Sequence, residues 1–387
     1  MGKSDHPLHS LSTYLGGFPP RVPRRIIERW VPARSSVLDP FCGGGTTLVE
    51  AKLLGHRAYG IDLNPLGVAI SLAKLQPVKL DDVVYRINAL AGEFPGPSAI
   101  DGAPEALRVI YHDSTLAQLC FLRNALGDKE PEDLFLRGCL LGIMHGKFRR
   151  GGDTAYLSID MPNTFSMSLE YVRGYVKRNG LERPRVDVFA KLRERTRWVL
   201  RSGALAATPN GCVFIGDATK LDRVLASEGV RTVGAVVTSP PYLGVLRYGA
   251  FNWIRLWFLG HDQYAIDHLL DGTDSMDVYL SFMASFLSRV GQVLRPGGVA
   301  ALVIGDVVEF GHHVRLAQRV WQELQGLLPF ELVTIEADRY DSQAKTTRIW
   351  GEERRGRATP LDRILILRRV TTRYRHQYGR PRSGDRT

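Results

Sequence analysis

Apolar and polar positions along this chain follow two rhythms, and glycine or proline marks most of the switches between them. Short apolar runs bounded by turn residues predict buried strands at Val37 to Asp39, His56 to Ile61, Gly211 to Asp217, Val233 to Val237, Val299 to Ile304, Phe330 to Ile335 and Arg363 to Leu367. Between them, apolar residues recur at helical spacing. Helices are predicted over Arg24 to Val31, Leu48 to Leu54, Ala218 to Glu228, Tyr248 to Leu259, Val278 to Leu294 and Val314 to Leu327. Strands alternating with helices predict an α/β fold with a mostly parallel, doubly wound sheet. Residues 76–211 break the alternation. They carry helical patterns at Leu80 to Ala91, Thr115 to Leu126, Pro131 to Met144 and Val188 to Leu200, and a stretch rich in Tyr, Arg and Lys at Ser166 to Arg178. The expected organisation is therefore a sheet domain in two parts, 14–75 and 212–370, split by a helical insertion at 76–211. Residues 1–13 and the tail at 371–387 lack a core pattern and are expected to be disordered.

Two of the turns carry chemistry. The first strand runs into Cys42-Gly43-Gly44-Gly45-Thr46-Thr47 and then a helix. Consecutive glycines let the backbone turn with positive φ and leave bare main chain for a ligand to touch. The helix behind them aims free N–H groups at whatever sits over the turn, and Thr46 and Thr47 add hydroxyls suited to a carboxylate. The second strand closes at Asp62-Leu63-Asn64, 17 residues beyond Gly45. An acidic residue there is placed to accept both hydroxyls of a ribose. A nicotinamide enzyme would use the same geometry, but the third glycine of its G-x-G-x-x-G is Leu48 here. A nucleotide triphosphatase would need a lysine after the turn, and none follows. The second chemical turn is Thr238-Ser239-Pro240-Pro241-Tyr242, after the most apolar strand.

Taken together, Asp39-Pro40-Phe41-Cys42-Gly43-Gly44-Gly45-Thr46-Thr47 and Thr238 to Tyr242 resemble the cofactor and catalytic motifs of the amino-methyltransferases of nucleic acids that use S-adenosylmethionine (AdoMet). The serine form of the catalytic motif is similar to that of DNA cytosine-N4 methyltransferases, and the aspartate form is commoner among adenine-N6 enzymes. The resemblance implies a Rossmann-like class I methyltransferase fold and AdoMet as cofactor. It extends over residues 14–75 and 212–306. It implies that Asp39, Pro40, Phe41, Gly43 and Gly45 line the cofactor site with Asp62 and Asn64, and that Phe18 and Pro19 cover the methionine end. It also implies that Asp217 and Ala218 meet the adenine, although Asp217 equally suits a helix N-cap. In this chain the cofactor motif precedes the catalytic one, unlike many enzymes with the serine form.

The catalytic motif has a physical rationale. An exocyclic base amine is a poor nucleophile because its lone pair is delocalised into the ring. Hydrogen bonds accepted from that amine by a Ser239 oxygen and the Pro240 carbonyl favour a pyramidal nitrogen that can attack the sulfonium methyl. Pro240 and Pro241 hold these acceptors in a rigid extended turn, and Tyr242 is expected to stack on the flipped base. The chemistry needs no metal.

Charge adds a partner. The net charge of the 387-residue chain is +11. Residues 147–201 hold thirteen Lys/Arg against six Asp/Glu, and 368–387 hold seven Arg against Asp385. A basic band beside such a core points to a polyanion. Lys147, Phe148, Arg149 and Arg150, in a glycine-rich loop, combine cations with an aromatic ring, as does Tyr171 with the basic residues after it. These are the candidate nucleic-acid contacts. His145 beside them is expected to be a contact residue of the same loop, and the Arg-rich stretch from Arg339 to Thr359 a loop over the substrate. DNA is the expected partner, with RNA as the alternative and a restriction nuclease as a cognate protein. RNA guanine-N2 methyltransferases share a similar glycine motif, but residues 1–36 are too short for the N-terminal RNA-binding module such enzymes carry. The four cysteines, at 42, 120, 139 and 212, show neither disulfide nor metal spacing. With no long apolar run and no leader pattern, a cytoplasmic protein outside the membrane is expected.

Overall fold

The computed structural model of the chain describes residues 5–100, 103–148, 154–162, 168–241, 243, 248–270, 272–273, 275–309, 312–339 and 358–371. Its strands are β1 (Ser36–Asp39), β2 (Arg57–Asp62), β3 (Gly211–Ile215), β4 (Val233–Thr238), β5 (Leu294–Glu309), β6 (His312–Val314), β7 (Phe330–Arg339) and β8 (Ala358–Arg369). They form one sheet in the order β3-β2-β1-β4-β5-β8-β7, with β6 paired to β5. The run from β3 to β5 is parallel, and β8 enters antiparallel between β5 and β7. The expected doubly wound α/β fold is therefore present.

The fourteen helices of the described residues are α1 (Arg21–Trp30), α2 (Thr46–Leu53), α3 (Pro65–Leu75), α4 (Leu80–Glu93), α5 (Glu105–Arg108), α6 (Asp113–Ala125), α7 (Pro131–Ile143), α8 (Leu169–Asn179), α9 (Val188–Val199), α10 (Leu221–Ser227), α11 (Tyr248–Leu259), α12 (Gln263–Leu269), α13 (Met276–Val293) and α14 (Leu316–Leu324). Successive strand side chains point to opposite faces, so alternate residues feed two cores. Val37, Ala235, Val237, Ala301 and Val303 face the layer that contains α1, α2, α3 and the insertion helices. Leu38, Val236, Ala300, Leu302 and Leu365 face α10, α13 and α14. The central strands β1 and β4 and the inner part of β5 are thus apolar on both sides, which is why they read as unbroken runs in the sequence.

Helices α4 to α9 fill the stretch between α3 and β3, and α7 packs along α3. Two glycines make that packing close. A Cβ at Gly138 would run into Ala73, and one at Gly142 would strike the carbonyl oxygen of Leu11.

Leu11 belongs to the segment expected to be disordered, and the structure overturns that expectation for residues 5–13. A 3-10 turn at Pro7–Ser10 is capped by the His6 ring, and Leu8 and Leu11 are fully buried. Glu50, itself buried on α2, accepts 2.7 Å hydrogen bonds from His9 Nε2 and from Arg24 Nε. A short polar-looking segment failed to announce itself because two leucines and one histidine suffice when α7 offers a groove without side chains. The tail at 372–387 and most of the 339–359 stretch lie outside the described residues.

The glycine groove of α7 predicts a paired result. Gly142→Ala should destabilise the protein by about 1–3 kcal/mol through overpacking against the Leu11 backbone. Gly92→Ala, in α4 with nothing within 4 Å of the new Cβ, should be neutral or stabilise by about 0.5–1 kcal/mol through helix propensity. Urea denaturation of both variants checks this, and equal effects would contradict the packing account.

Candidate active site

The chain leaves β1 for β2 on one side while β4 lies on the other, so a crevice opens at the carboxyl ends of β1 and β4. A side-chain bridge closes its floor. Asp39, the last residue of β1, accepts a 2.5 Å hydrogen bond from the Thr238 hydroxyl at the end of β4 and one of 3.2 Å from the Phe41 N–H. Burial pushes the Asp39 carboxyl up to about 6, even though these hydrogen bonds favour its ionised form.

The glycine turn is shaped by the second acid. Asp62, at the end of β2, accepts 2.7 Å from the Gly43 N–H on one oxygen and 2.8 Å from the Asn64 N–H on the other. Each carboxylate oxygen has two lone-pair directions, so both retain capacity toward the crevice. Burial pushes Asp62 up to about 6 as well, opposed by those backbone donors. Asn64 then caps α3, accepting from Leu66 N at 3.0 Å, while its amide donates to the Tyr14 hydroxyl at 3.0 Å. Gly43 adopts a φ of 45°, and a Cβ there would lie 2.7 Å from the Tyr14 ring. The bare turn is therefore roofed by an aromatic face from the N-terminal segment.

A cavity of about 370 Å³ occupies this crevice, within the size range of sites that hold drug-sized ligands. Of the residues singled out in the sequence, Asp39, Pro40, Phe41, Gly43 and Thr46 line it from β1 and the turn, and Asp62 and Asn64 from β2. Phe18 closes one side, Asp217 and Ala218 another, and Ser239, Pro240 and Pro241 a third. Asp217 also caps the short turn after β3, accepting from the Thr219 N–H at 2.8 Å and the Thr219 hydroxyl at 2.7 Å. Burial pushes its carboxyl up, but the Thr219 hydrogen bonds and Lys220 outweigh that and leave it below the ordinary value.

Other candidates lie off this wall. Pro19 turns its carbonyl to Val22 N at 3.0 Å and starts α1. Gly45, with a φ of 75°, is held against α3, where a Cβ would lie 2.8 Å from the Ser71 hydroxyl, so its need is close packing. Thr47 is fully buried in the first turn of α2. Lys147 is exposed, Phe148 is half-buried with its N–H on Asp160 at 2.7 Å, and Tyr171 is exposed on α8, where its ring stacks on Tyr175 with Arg178 over it. None of these three reaches the cavity. His145, expected as a contact residue of a basic loop, is instead fully buried at the end of α7, because the apolar run of that helix carries it into the core. Tyr242, Arg149 and Arg150 lie outside the described residues.

The wall also contains residues that sequence reasoning missed. Tyr14 and Tyr248 stack at a 6.1 Å centroid distance, and burial raises the hydroxyl pKa of both. Tyr279 and Phe282 reach the cavity from α13, where Phe282 packs against Phe41 at 5.9 Å. The Tyr14 signal was present in the motif Tyr14-Leu-Gly-Gly-Phe18, since an aromatic next to two glycines suits a face-on approach to bare backbone. Tyr279 and Phe282 gave none, because apolar residues at helical spacing read as ordinary core.

Comparison with known proteins places these features. The family described as DNA methylase matches residues 3–72, which contain Tyr14 to Phe18, the glycine turn and Asp62. The Type II methyltransferase M.MjaII of Methanocaldococcus jannaschii is 35% identical over 69 residues, 18% of this chain and 13% of that protein. The Type II methyltransferase M.MvaI of Kocuria varians is 27% identical over 139 residues, 33% of this chain and 31% of that protein. The tRNA (guanine(10)-N2)-dimethyltransferase of Pyrococcus abyssi is 33% identical over 81 residues, 20% of this chain and 24% of that protein. This chain therefore covers less than a third of the length of each of these relatives, and it is similar to the DNA methylase family through its first half-sheet.

Proposed function

We propose that this chain transfers the methyl group of AdoMet to an exocyclic amine of a base in DNA, with N4 of cytosine as the leading target and N6 of adenine as the close alternative. The observation that carries this reading is the meeting, in one cavity, of the Asp62 and glycine-turn wall with the Ser239-Pro240-Pro241 turn. The first wall suits a nucleoside with a carboxylate tail. Asp62 accepts the ribose hydroxyls, Asp217 accepts from the adenine amine, and Thr46 at the start of α2 donates to the carboxylate. Phe18 closes over the sulfonium end.

The second wall supplies the acceptors for the target amine. The Ser239 hydroxyl donates 3.1 Å to the carbonyl of Val303. A carbonyl has no proton to give, so the serine proton is committed there and its oxygen faces the cavity as an acceptor. The target N–H would donate to this oxygen and to the Pro240 carbonyl, which frees the lone pair from conjugation and aims it at the methyl group that bound AdoMet would supply; the amine proton would pass to solvent. AdoMet supplies the activated methyl; the protein supplies alignment and acceptors.

The type II methyltransferases among its relatives support a role in modifying DNA beside a cognate restriction nuclease. Lys147, Phe148 and the Tyr171–Tyr175 pair, with the neighbouring Arg149 and Arg150, are the proposed nucleic-acid contacts of the basic insertion, and Tyr242 the partner of the flipped base. A second reading is RNA guanine-N2 methylation, favoured by the likeness to the tRNA enzyme. Among the described residues no helix is long and apolar enough to cross a membrane.

The two walls predict separable losses. Gly43→Asp should abolish AdoMet binding in calorimetry, because its Cβ would enter the Tyr14 ring and a φ of 45° strains any side chain there. Ser239→Ala should leave AdoMet affinity near the wild-type value and lower the rate of methyl transfer to DNA about 10²-fold, as for loss of one positioned hydrogen bond in a transition state. Retained binding in Gly43→Asp, or joint loss of both properties in Ser239→Ala, would refute the assignment.

A pH dependence follows from Asp62. Its raised value near 6 in the free protein means that the ionised acceptor is lost as pH falls through 6. AdoMet affinity should therefore be about tenfold weaker at pH 5 than at pH 8, by linkage. Asp62→Asn should bind more weakly throughout and flatten this limb; an unchanged slope in that variant would assign the titration to Asp39 instead.

A further inference from the structure

The segment from Leu11 to Phe18 crosses the cavity as a strap, and Tyr14, Gly16 and Phe18 form part of the wall. The segment itself is neither strand nor helix. Thr13, at its outer end, is gripped by a guanidinium: Arg255 Nη1 donates 3.0 Å to the Thr13 carbonyl and Nη2 donates 3.1 Å to the Thr13 hydroxyl. Arg255 is fully buried on α11, makes no ion pair among the described residues, and leaves its Nε without a hydrogen-bond partner. Burial pulls its pKa down to about 10, so the side chain stays charged at neutral pH. A buried charge without a counter-charge carries a desolvation penalty that its hydrogen bonds only partly offset, so its net contribution to stability is small. Its retention here therefore asks for a reason other than stability.

The helix supplies that reason. α11 starts at Tyr248, just after the segment that begins with Ser239-Pro240-Pro241. It kinks at Asn252, where Nδ2 donates 2.9 Å to the Tyr248 carbonyl and Oδ1 accepts 3.4 Å from Arg255 Nη1. Tyr248 stacks on Tyr14 of the strap. Arg255 thus ties together the strap, the kink and the first turn of the helix behind the acceptor wall.

We propose that Arg255 is a positioning residue that fixes the strap against α11, so that the cofactor wall and the acceptor wall keep one relative placement. Its consequence for catalysis rests on the methyl-transfer reading; the tether itself does not. An anchor whose role is stability and nothing more would lower the melting temperature when removed and leave ligand affinity intact. A positioning tether behaves in the opposite way.

The test uses the full chain with R255M and R255K. In R255M the melting temperature should hold or rise, while the amides of Leu15, Gly16 and Gly17 exchange hydrogen about tenfold faster, the equivalent of one charge-assisted hydrogen bond. The KM for AdoMet should rise by a similar factor and kcat should fall less. R255K keeps the charge and one donor for Thr13, and should restore part of the strap protection and of the KM. Unchanged exchange in the strap overturns the proposal, as does a lowered melting temperature with AdoMet affinity intact. If R255M does not fold, the same exchange comparison in R255K decides. A wild-type protein that fails to bind AdoMet would instead count against the cofactor assignment, and the exchange result would still judge Arg255.

Discussion

Two buried carboxylates at the tips of β1 and β2 govern the geometry of the crevice. Asp39 ties the end of β1 to Thr238 at the end of β4, and Asp62 pulls the Gly43 N–H down from the turn above it. Among the described residues neither acid has a cation beside it, and burial holds both near 6. Their charge is stabilised by hydroxyl and backbone donors, which have directions as well as strength. The turn between β1 and α2 is thereby fixed from below, and the walls that meet there inherit its placement. Moving either acid would shift the glycine turn relative to the Ser239-Pro240 turn.

Above this floor, the cavity is closed by a segment that the sheet does not hold. The strap and the turn before it are seated by side chains from three places. Glu50 of α2 takes His9, Arg195 of α9 donates to the carbonyls of Ser10 and Leu11, and Arg255 of α11 takes Thr13. The insertion therefore does more than carry basic surface. Through α7 and α9 it forms the seat of the strap, so the part proposed to face the substrate and the cofactor-facing part share a contact. That arrangement gives the insertion a physical route to the cofactor site independent of any direct nucleic-acid contact.

Legibility in the sequence followed the range of the interaction. The central strands were readable because both faces are buried and the runs are unbroken, and the turn after β1 because three glycines in a row have few other uses. Asp62 was readable from its spacing to Gly45. What escaped depended on distant partners. Gly45 looked like a ligand-facing glycine until Ser71 on α3 was seen to need the space. Arg255 resembled any charged residue on an amphipathic helix, and nothing local marks it as buried. Residues 5–13 looked polar because their burial depends on glycines in α7 more than 120 positions away. His145 erred in the other direction, since the cations after it suggested a surface loop while the helix before it led into the core.

The central claim is methyl transfer to an exocyclic amine of DNA. The most direct measurement incubates the purified chain with AdoMet and, separately, with duplex DNA and bulk tRNA, digests each to nucleosides and identifies the methylated species by mass spectrometry. The account predicts N4-methyldeoxycytidine from the DNA; N6-methyldeoxyadenosine would keep the chemistry and change the target base. Methylated nucleosides from tRNA alone, or from neither sample, would contradict it.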